Sequence, residues 1–362
     1  MIPMVDLKKQ YHILKEDIDA AVSEVLENTQ FILGPNVNTF EREAANYLDV
    51  KHALSCASGT DALHLALAAA GIGPGDEVIT PSFTFIATAE AIRYVGATPV
   101  FVDILPKTLN IDPKSMAMAI TDKTRALLPV HLFGQPADMP QIMQIAKQHK
   151  LLVIEDCAQS FGASIDDKMT GGIGLAGCHS FFPSKNLGCY GDGGMITTND
   201  DNIADKIRVL RNHGSAIRYH HDVIGYNSRL DEIQAAILRI KLKNIKTYNQ
   251  ERYRVAQSYS SKLRDVVTTP FEDKIGQHVY HQYTILTPKR DAIMKKLTEN
   301  NIANAIYYPI PLHKQNVFAK EYAGVSLPVS EHVASQCMSL PIFPELEEEQ
   351  IEQICDIIKS AI

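Results

Sequence analysis

Leu151-Leu152-Val153-Ile154-Glu155-Asp156 is an apolar run closed by two carboxylates, and Cys157-Ala158-Gln159-Ser160 follows it. A short, uninterrupted apolar run reads as a strand buried on both faces, the form taken in a parallel sheet covered by helices. Asp156 then sits at the strand's carboxyl end, where open α/β sheets bind their ligands. Comparable strand candidates lie at residues 53–57, 77–81, 98–104, 126–130, 178–182 and 194–198, with helical stretches between most of them. That alternation predicts an α/β fold with a mostly parallel, two-sided sheet. Ahead of it, Leu14, Ile18, Ala21, Val22, Val25 and Leu26 fall on one helical face. Residues 231–259 read as a long helix whose middle is a hinge. Strands at 282–287 and 303–308 and helices at 291–300 and 347–362 then predict a smaller α+β unit. The expected division is a large domain over 1–240 and a small one over 241–362.

The second decisive stretch is His179-Ser180-Phe181-Phe182-Pro183-Ser184-Lys185-Asn186-Leu187-Gly188. A lysine amine that forms a Schiff base, with an acidic partner for a pyridinium nitrogen, is what pyridoxal phosphate (PLP) asks of a protein. Asp156 would keep the pyridine nitrogen protonated by charge pairing. Lys185 would anchor the cofactor and carry a proton between the substrate carbon and C4′. Taken singly, an acid at a strand end is an ordinary cap and a lysine an ordinary surface charge. Their joint occurrence with a phosphate seat carries the reading.

That seat is Ser58-Gly59-Thr60-Asp61-Ala62-Leu63, where a strand turns into a helix. The first turn of a helix leaves backbone N–H groups free, and its dipole suits an anion. Gly59 allows close approach and the Thr60 hydroxyl adds a donor. Gly172-Ile173-Gly174-Leu175-Ala176-Gly177 matches the spacing of a dinucleotide loop, but a strand rather than a helix follows it, so the required context is missing.

With 362 residues, 45% of them apolar, the chain can bury a large core without crosslinks. Its formal net charge of -7 argues against nucleic acid as a partner. The six cysteines show no CxxC spacing, so reduced buried thiols are expected and no metal site. The first residues lack a signal peptide's apolar core, and no apolar run is long enough to span a bilayer, so a cytoplasmic location is expected.

Taken in order, these motifs, with Phe31-Ile32-Leu33-Gly34-Pro35, Pro81-Ser82-Phe83-Thr84-Phe85 and Gly225-Tyr226-Asn227-Ser228-Arg229, resemble those of the DegT/DnrJ/EryC1/StrS sugar aminotransferases. The resemblance covers nearly the whole chain. It implies the fold type I, aspartate aminotransferase-like architecture and a homodimer with shared active sites. It places Phe85 on one face of the cofactor ring, Ala158 on the other and Gln159 near the ring hydroxyl. Phosphate contacts are implied for Gly59, Thr60 and Ser180, with Asn227 reaching in from a neighbouring subunit. Family members that dehydrate carry histidine where this chain has Lys185, so transamination is implied.

The expected reaction moves an amino group from L-glutamate, through the pyridoxamine form, to a UDP- or dTDP-linked keto sugar for polysaccharide biosynthesis. The branch most resembled aminates C3 of 3-keto hexoses or hexuronates. Hexuronate users tend to have His-Tyr-Pro where this chain has Tyr307-Tyr308-Pro309, which weighs against a carboxylate on the sugar. Arg229, Tyr308 and His313 are the substrate-side candidates; the alternative for Arg229 is an ion pair at a surface or interface. The other function readings are C4 amination of a 4-keto-6-deoxy sugar and a PLP-binding regulator without turnover.

Overall fold

A computed structural model of the chain describes residues 1–362. Helices α1 (Leu7–Asn28) and α2 (Pro35–Leu48) precede the sheet. Alternation follows through β1 (His52–Cys56), α3 (Gly59–Ala69), β2 (Glu77–Pro81), α4 (Ala87–Tyr94), β3 (Thr98–Val102), α5 (Pro113–Met118), β4 (Thr124–Leu127), α6 (Met139–His149) and β5 (Leu152–Asp156). A small hairpin, β6 (Ser164–Ile165) and β7 (Lys168–Met169), leads to β8 (Ala176–Ser180), β9 (Gly194–Thr198), α7 (Asp201–Leu210), α8 (Glu232–Leu242) and α9 (Ile245–Leu263). The remainder comprises β10 (Gly276–Gln277), β11 (Tyr283–Leu286), α10 (Arg290–Glu299), α11 (Asn316–Ala319), α12 (Pro328–Gln336), β12 (Cys337–Leu340) and α13 (Glu348–Lys359).

Seven strands form the main sheet in the order β1-β9-β8-β5-β4-β2-β3. Strand β9 is antiparallel to both neighbours, and the other adjacent pairs are parallel. The expected α/β architecture is therefore present, and β5 lies at its centre with Val153 to Asp156 buried. Strand ends follow local chemistry. The strand expected over 98–104 stops at Val102 because the Asp103 carboxylate turns away to accept from the N–H groups of Val329 and Ser330 at the start of α12. The one expected over 126–130 stops at Leu127, just ahead of Pro129, which has no N–H to give the ladder.

Helix starts match their caps. Ser58 accepts from the Asp61 N–H at α3, Asp138 from Gln141 at α6, and Glu347 with Gln350 forms a capping box at α13. Helix α2 has no side-chain cap of its own; the buried Glu232 of α8 accepts from the Asn36 and Val37 N–H groups at 2.8 and 2.9 Å. The apolar face of α1 is covered only in part: Ile18 and Val25 are buried, whereas Leu26 is 52% exposed.

The long helix expected over 231–259 is two helices, separated at Lys243 and Asn244. Residues 303–308 are not a strand. Ala305 makes a single bridge to Ser339, and Ile306, Tyr307 and Tyr308 instead pack against the cluster around Phe83 and Phe133. The true partner of β11 is β12, a strand the sequence pattern did not announce. The C-terminal core gathers α9, α10, α13, β11 and β12, and Ile2 joins it from the start of the chain. Two buried polar residues one turn apart on α9, Asn249 and Arg252, tie this core to the sheet side. Asn249 donates to Phe161 O, and Arg252 to the carbonyls of Tyr280, His281 and Ile342.

Candidate active site

A cavity of about 360 Å³ opens at the carboxyl ends of the central strands, and Asp156, Lys185, Gly59, Thr60, Phe85, Ala158, Gln159, Ser180 and Tyr308 all line it. Residues as far apart in the chain as Gly59 and Tyr308 thus share one wall.

Asp156 is fixed through both carboxylate oxygens. Thr88 Oγ1 on α4 donates to Oδ2 at 2.8 Å, and the Ala158 N–H donates to Oδ1 at 3.1 Å. Burial pushes its pKa up; those two hydrogen bonds and the positive charge of Lys185 pull the other way without cancelling the rise. A cation placed against this carboxylate would restore its ionised form.

Lys185 projects from a turn in which its own N–H donates to Phe182 O at 2.8 Å. Burial lowers its pKa to about 8, opposed by Asp156. A substantial neutral fraction at ordinary pH is what a nucleophilic amine needs. The adjoining Asn186 donates to Asn249 Oδ1 and Val279 O at 2.8 and 2.9 Å, and its Oδ1 lies 3.3 Å from His281 Nδ1. Farther along the same loop, Lys241 of α8 donates to Gly188 O at 2.7 Å and lies 3.9 Å from the centre of the Tyr190 ring.

The phosphate seat is tested by its unused donors. At the start of α3 the Asp61 N–H is taken by Ser58 Oγ and the Ala62 N–H by Ser58 O, while the Gly59 and Thr60 N–H groups meet no acceptor in the chain. A Cβ at position 59 would come within 2.5 Å of Ser180 Cβ, so only glycine lets the helix start approach β8. Two free N–H groups, the Thr60 and Ser180 hydroxyls and a helix dipole fit a phosphate; an anchored carboxylate and a lysine of lowered pKa fit the pyridine ring and its aldehyde carbon.

Around that space, Phe85 is 53% exposed at the wall and its ring centre lies 6.0 Å from that of Tyr308. Gln159 is oriented by the Phe133 N–H, which donates to its Oε1 at 2.7 Å; its Nε2 therefore donates to Tyr308 OH at 3.0 Å. The Tyr308 hydrogen is left to point elsewhere, and burial keeps that phenol protonated far above its ordinary range.

Three sequence candidates are not on this wall. His313 is wholly buried, with Nδ1 2.7 Å from Ser82 Oγ and Nε2 3.0 Å from Glu331 Oε1; both nitrogens serve the fold. Arg229 is half-buried and donates to Asn212 Oδ1 at 3.1 Å, with no carboxylate at ion-pair distance. Asn227 is exposed, its backbone bridged to Asn212. Neither Asn227 nor Arg229 reaches the cavity of its own chain.

The glycine-rich stretch after β7 binds a carboxylate of the protein itself. Glu155 accepts from the Gly171, Ile173 and Gly174 N–H groups at 2.7 to 2.9 Å and from His131 Nε2 at 3.0 Å. The Ala137 N–H donates to His131 Nδ1, which places the imidazole hydrogen on Nε2. Burial favours the neutral acid, but these donors together hold the Glu155 pKa below its ordinary value. His131, Glu155 and Cys157 lie close together; both His131 nitrogens and both Glu155 oxygens are engaged in this internal network.

The sequence profile described as the DegT/DnrJ/EryC1/StrS aminotransferase family matches residues 12–359. The chain belongs to this family. A family member from Acidithiobacillus ferrooxidans, named UDP-N-acetyl-3-dehydro-alpha-D-glucosamine 3-aminotransferase, is 51% identical over 362 residues, covering 100% of this chain and 98% of its own. A protein from Geobacillus stearothermophilus named pleiotropic regulatory protein is also 51% identical, covering 99% and 97%. The crystal structure of S. venezuelae DesV in complex with a ketimine intermediate superposes with a TM-score of 0.97 at 42% identity, covering 99% of this chain and 98% of that one. The fold is thus that of the sugar aminotransferases, a fold type I PLP-transferase architecture.

Several cavity residues carry no sequence signal of their own. Thr88 reads as a plain helix residue, and His281, Gln282 and Tyr307 lie in segments without a motif. Only Thr88's helical spacing from Thr84, whose hydroxyls lie 3.3 Å apart, hinted at a polar face turned inward.

Proposed function

We propose that the protein is a PLP-dependent aminotransferase that moves an amino group from L-glutamate to C3 of a UDP- or dTDP-linked 3-keto sugar. The observation that carries this is the convergence on one cavity of Lys185, the doubly anchored Asp156 and the two unused N–H groups of α3. The name of the Acidithiobacillus relative supports C3 and a UDP sugar.

When bound, the cofactor supplies an electron sink and an amino-group carrier. Gly59, Thr60 and Ser180 would hold its phosphate, and Asp156 would keep a proton on the ring nitrogen. Phe85 and Ala158 would confine the ring and exclude water. Lys185 would anchor the cofactor and, when free, could accept and return a proton at the reacting carbons, and a pKa of about 8 suits both roles. Tyr308, with its hydrogen unspent on Gln159, is placed to donate to an oxygen in the cavity.

Lys185 is the only cation on the cavity wall of this chain, and Tyr307 stands there with a neutral phenol. A sugar with a neutral C6 group needs no further cation from this wall, whereas a hexuronate carboxylate would have to find its partner in a second copy. Arg229 and Asn227 serve the site of a second copy in a homodimer. The uncovered apolar side chains Phe31, Ile32 and Ile224 support such an assembly, as does the absence of an acid partner for Arg229. The large domain then spans residues 1–240 and the small one 241–362, the change falling near the end of α8. No helix is long and apolar enough to cross a membrane, and we place the enzyme in the cytoplasm, acting in polysaccharide biosynthesis.

The test is spectroscopic. Glutamate should bleach the visible absorbance of the cofactor-loaded enzyme, and a 3-keto nucleotide sugar should restore it while the matched 4-keto sugar does not. Recovery with the 4-keto sugar alone moves the reaction to C4. No bleaching by glutamate or any other amino donor favours the regulatory reading that one relative's name suggests.

A further inference from the structure

We infer that His281 is a positioning residue for Lys185: its Nδ1–H, bonded to Asn186 Oδ1, holds the turn from which the lysine projects and leaves Nε2 without a hydrogen. The tautomer follows from counting hydrogens. Both amide hydrogens of Asn186 are used, on Asn249 Oδ1 and on Val279 O. Asn249 cannot be turned round, because its own Nδ2 donates to Phe161 O at 3.0 Å. Only Oδ1 of Asn186 is left to face His281 Nδ1 at 3.3 Å, and an oxygen there requires the hydrogen on Nδ1. Nε2 then carries a lone pair, and Gln282 Nε2 lies 3.5 Å from it.

Asn186 directly follows Lys185, so this contact acts on the lysine through the backbone. The groups whose charge bears on the imidazole are Lys185 from the turn and Arg252 from α9, both cationic. With burial, they push the His281 pKa well below its ordinary value. A neutral ring leaves Asp156 as the only charge acting on Lys185. The chain from Asn249 through Asn186 to His281 also links α9 to the lysine turn, with Arg252 binding the His281 carbonyl from one turn farther on.

The inference rests on the proposed role of Lys185, and its test has an arm that does not. In the cofactor-free protein, ¹⁵N NMR of the histidine side chains, with the signal assigned by its loss in His281→Asn, should show a neutral Nδ1–H ring from pH 6 to 9. An Nε2–H ring or a charged one overturns the inference whatever the cofactor does. In the loaded enzyme, His281→Asn, which keeps an N–H near the place of Nδ1–H, should hold the pH midpoint of the visible absorbance close to that of the parent. His281→Leu should move that midpoint by about one unit and slow both half reactions about tenfold or more, with KM for the sugar unchanged. An unmoved midpoint in folded His281→Leu, or a change confined to the sugar KM, overturns it; if that variant does not fold, the NMR result decides.

Discussion

Thr88 and Asp156, which lie on different layers of the fold, meet in a buried hydrogen bond of 2.8 Å, the hydroxyl of α4 donating to the carboxylate at the end of β5. The bond leaves the carboxylate one rotational setting and aims it into the cavity. Thr88→Val keeps the shape and removes the donor. A hydrogen bond to a charged group is worth about 1.5–3 kcal/mol, so cofactor dissociation should rise by roughly ten- to a hundredfold. Fluorescence titration of cofactor-free protein with PLP reads this directly; unchanged affinity would remove Thr88 from the site.

Asp156→Asn separates stability from chemistry. The raised pKa of Asp156 means the folded state binds its proton more tightly than the unfolded chain, whose value is about 3.9. Its contribution is therefore fully favourable below the unfolded value and is lost as pH rises through the folded one. Cofactor-free Asp156→Asn should melt at or above the parent temperature at pH 7.5. The loaded variant should lose turnover by about a thousandfold or more, as the ring proton is no longer held. Melting curves with and without PLP at pH 5 and 7.5 check both halves, and the gain in melting temperature on adding PLP to the parent should be larger at pH 7.5.

Lys185 gives a second pH signature. Its amine, with a pKa of about 8, is charged below that value and neutral above it. The rate at which cofactor-free enzyme recaptures PLP should rise through about pH 8 and level off, long before the ordinary lysine range is reached. Lys185→Ala should bind PLP without the visible absorbance and turn over no sugar. Wild-type turnover in that variant would end the catalytic assignment.

Gly59→Ala tests the cradle. The new methyl group would sit 2.5 Å from Ser180 Cβ, a position no rotamer of Ser180 can vacate. PLP affinity should fall by at least about tenfold, and the double variant with Ser180→Gly, which removes the clashing atom, should recover part of it.

Arg229→Ala should slow the sugar half reaction and spare the glutamate half reaction, each measured by stopped-flow absorbance. Equal loss in both would assign Arg229 to assembly rather than substrate, which the oligomeric state of the variant would then report.

Asp156, Lys185 and Gly59 were legible in the sequence because each sits inside its own local signal: an apolar strand ending in an acid, a lysine turn, a glycine opening a helix. His313 lies off the cavity, and nothing in Pro311-Leu312-His313 reveals that Ser82 and Glu331, from distant segments, occupy both ring nitrogens. Thr88 and His281 went unnoticed for the same reason, their partners being set by packing rather than by neighbours in the chain. The seven-stranded sheet was readable from its apolar runs. The short pairing of β11 with β12 was not, because its four residues include Ser339 and no sustained apolar pattern. The glycine spacing at 172–177 was rightly denied to a nucleotide, but its actual guest, Glu155, comes from the strand before it.

The order of strands in the main sheet has a kinetic meaning. Strand β1 is placed beside β9, to which it pairs from His52 with Thr198 through Cys56 with Gly194, and no strand lies on its other edge, where Glu41 and Arg211 side chains bond the Ser55 N–H and carbonyl. The helix start that would grip the phosphate leaves directly from β1. A pairing of such sequence separation costs much chain entropy before it is rewarded, so it belongs to the late part of refolding. The protein will therefore acquire its yellow colour only as the last edge of the sheet closes, making pigment a clock for completed folding.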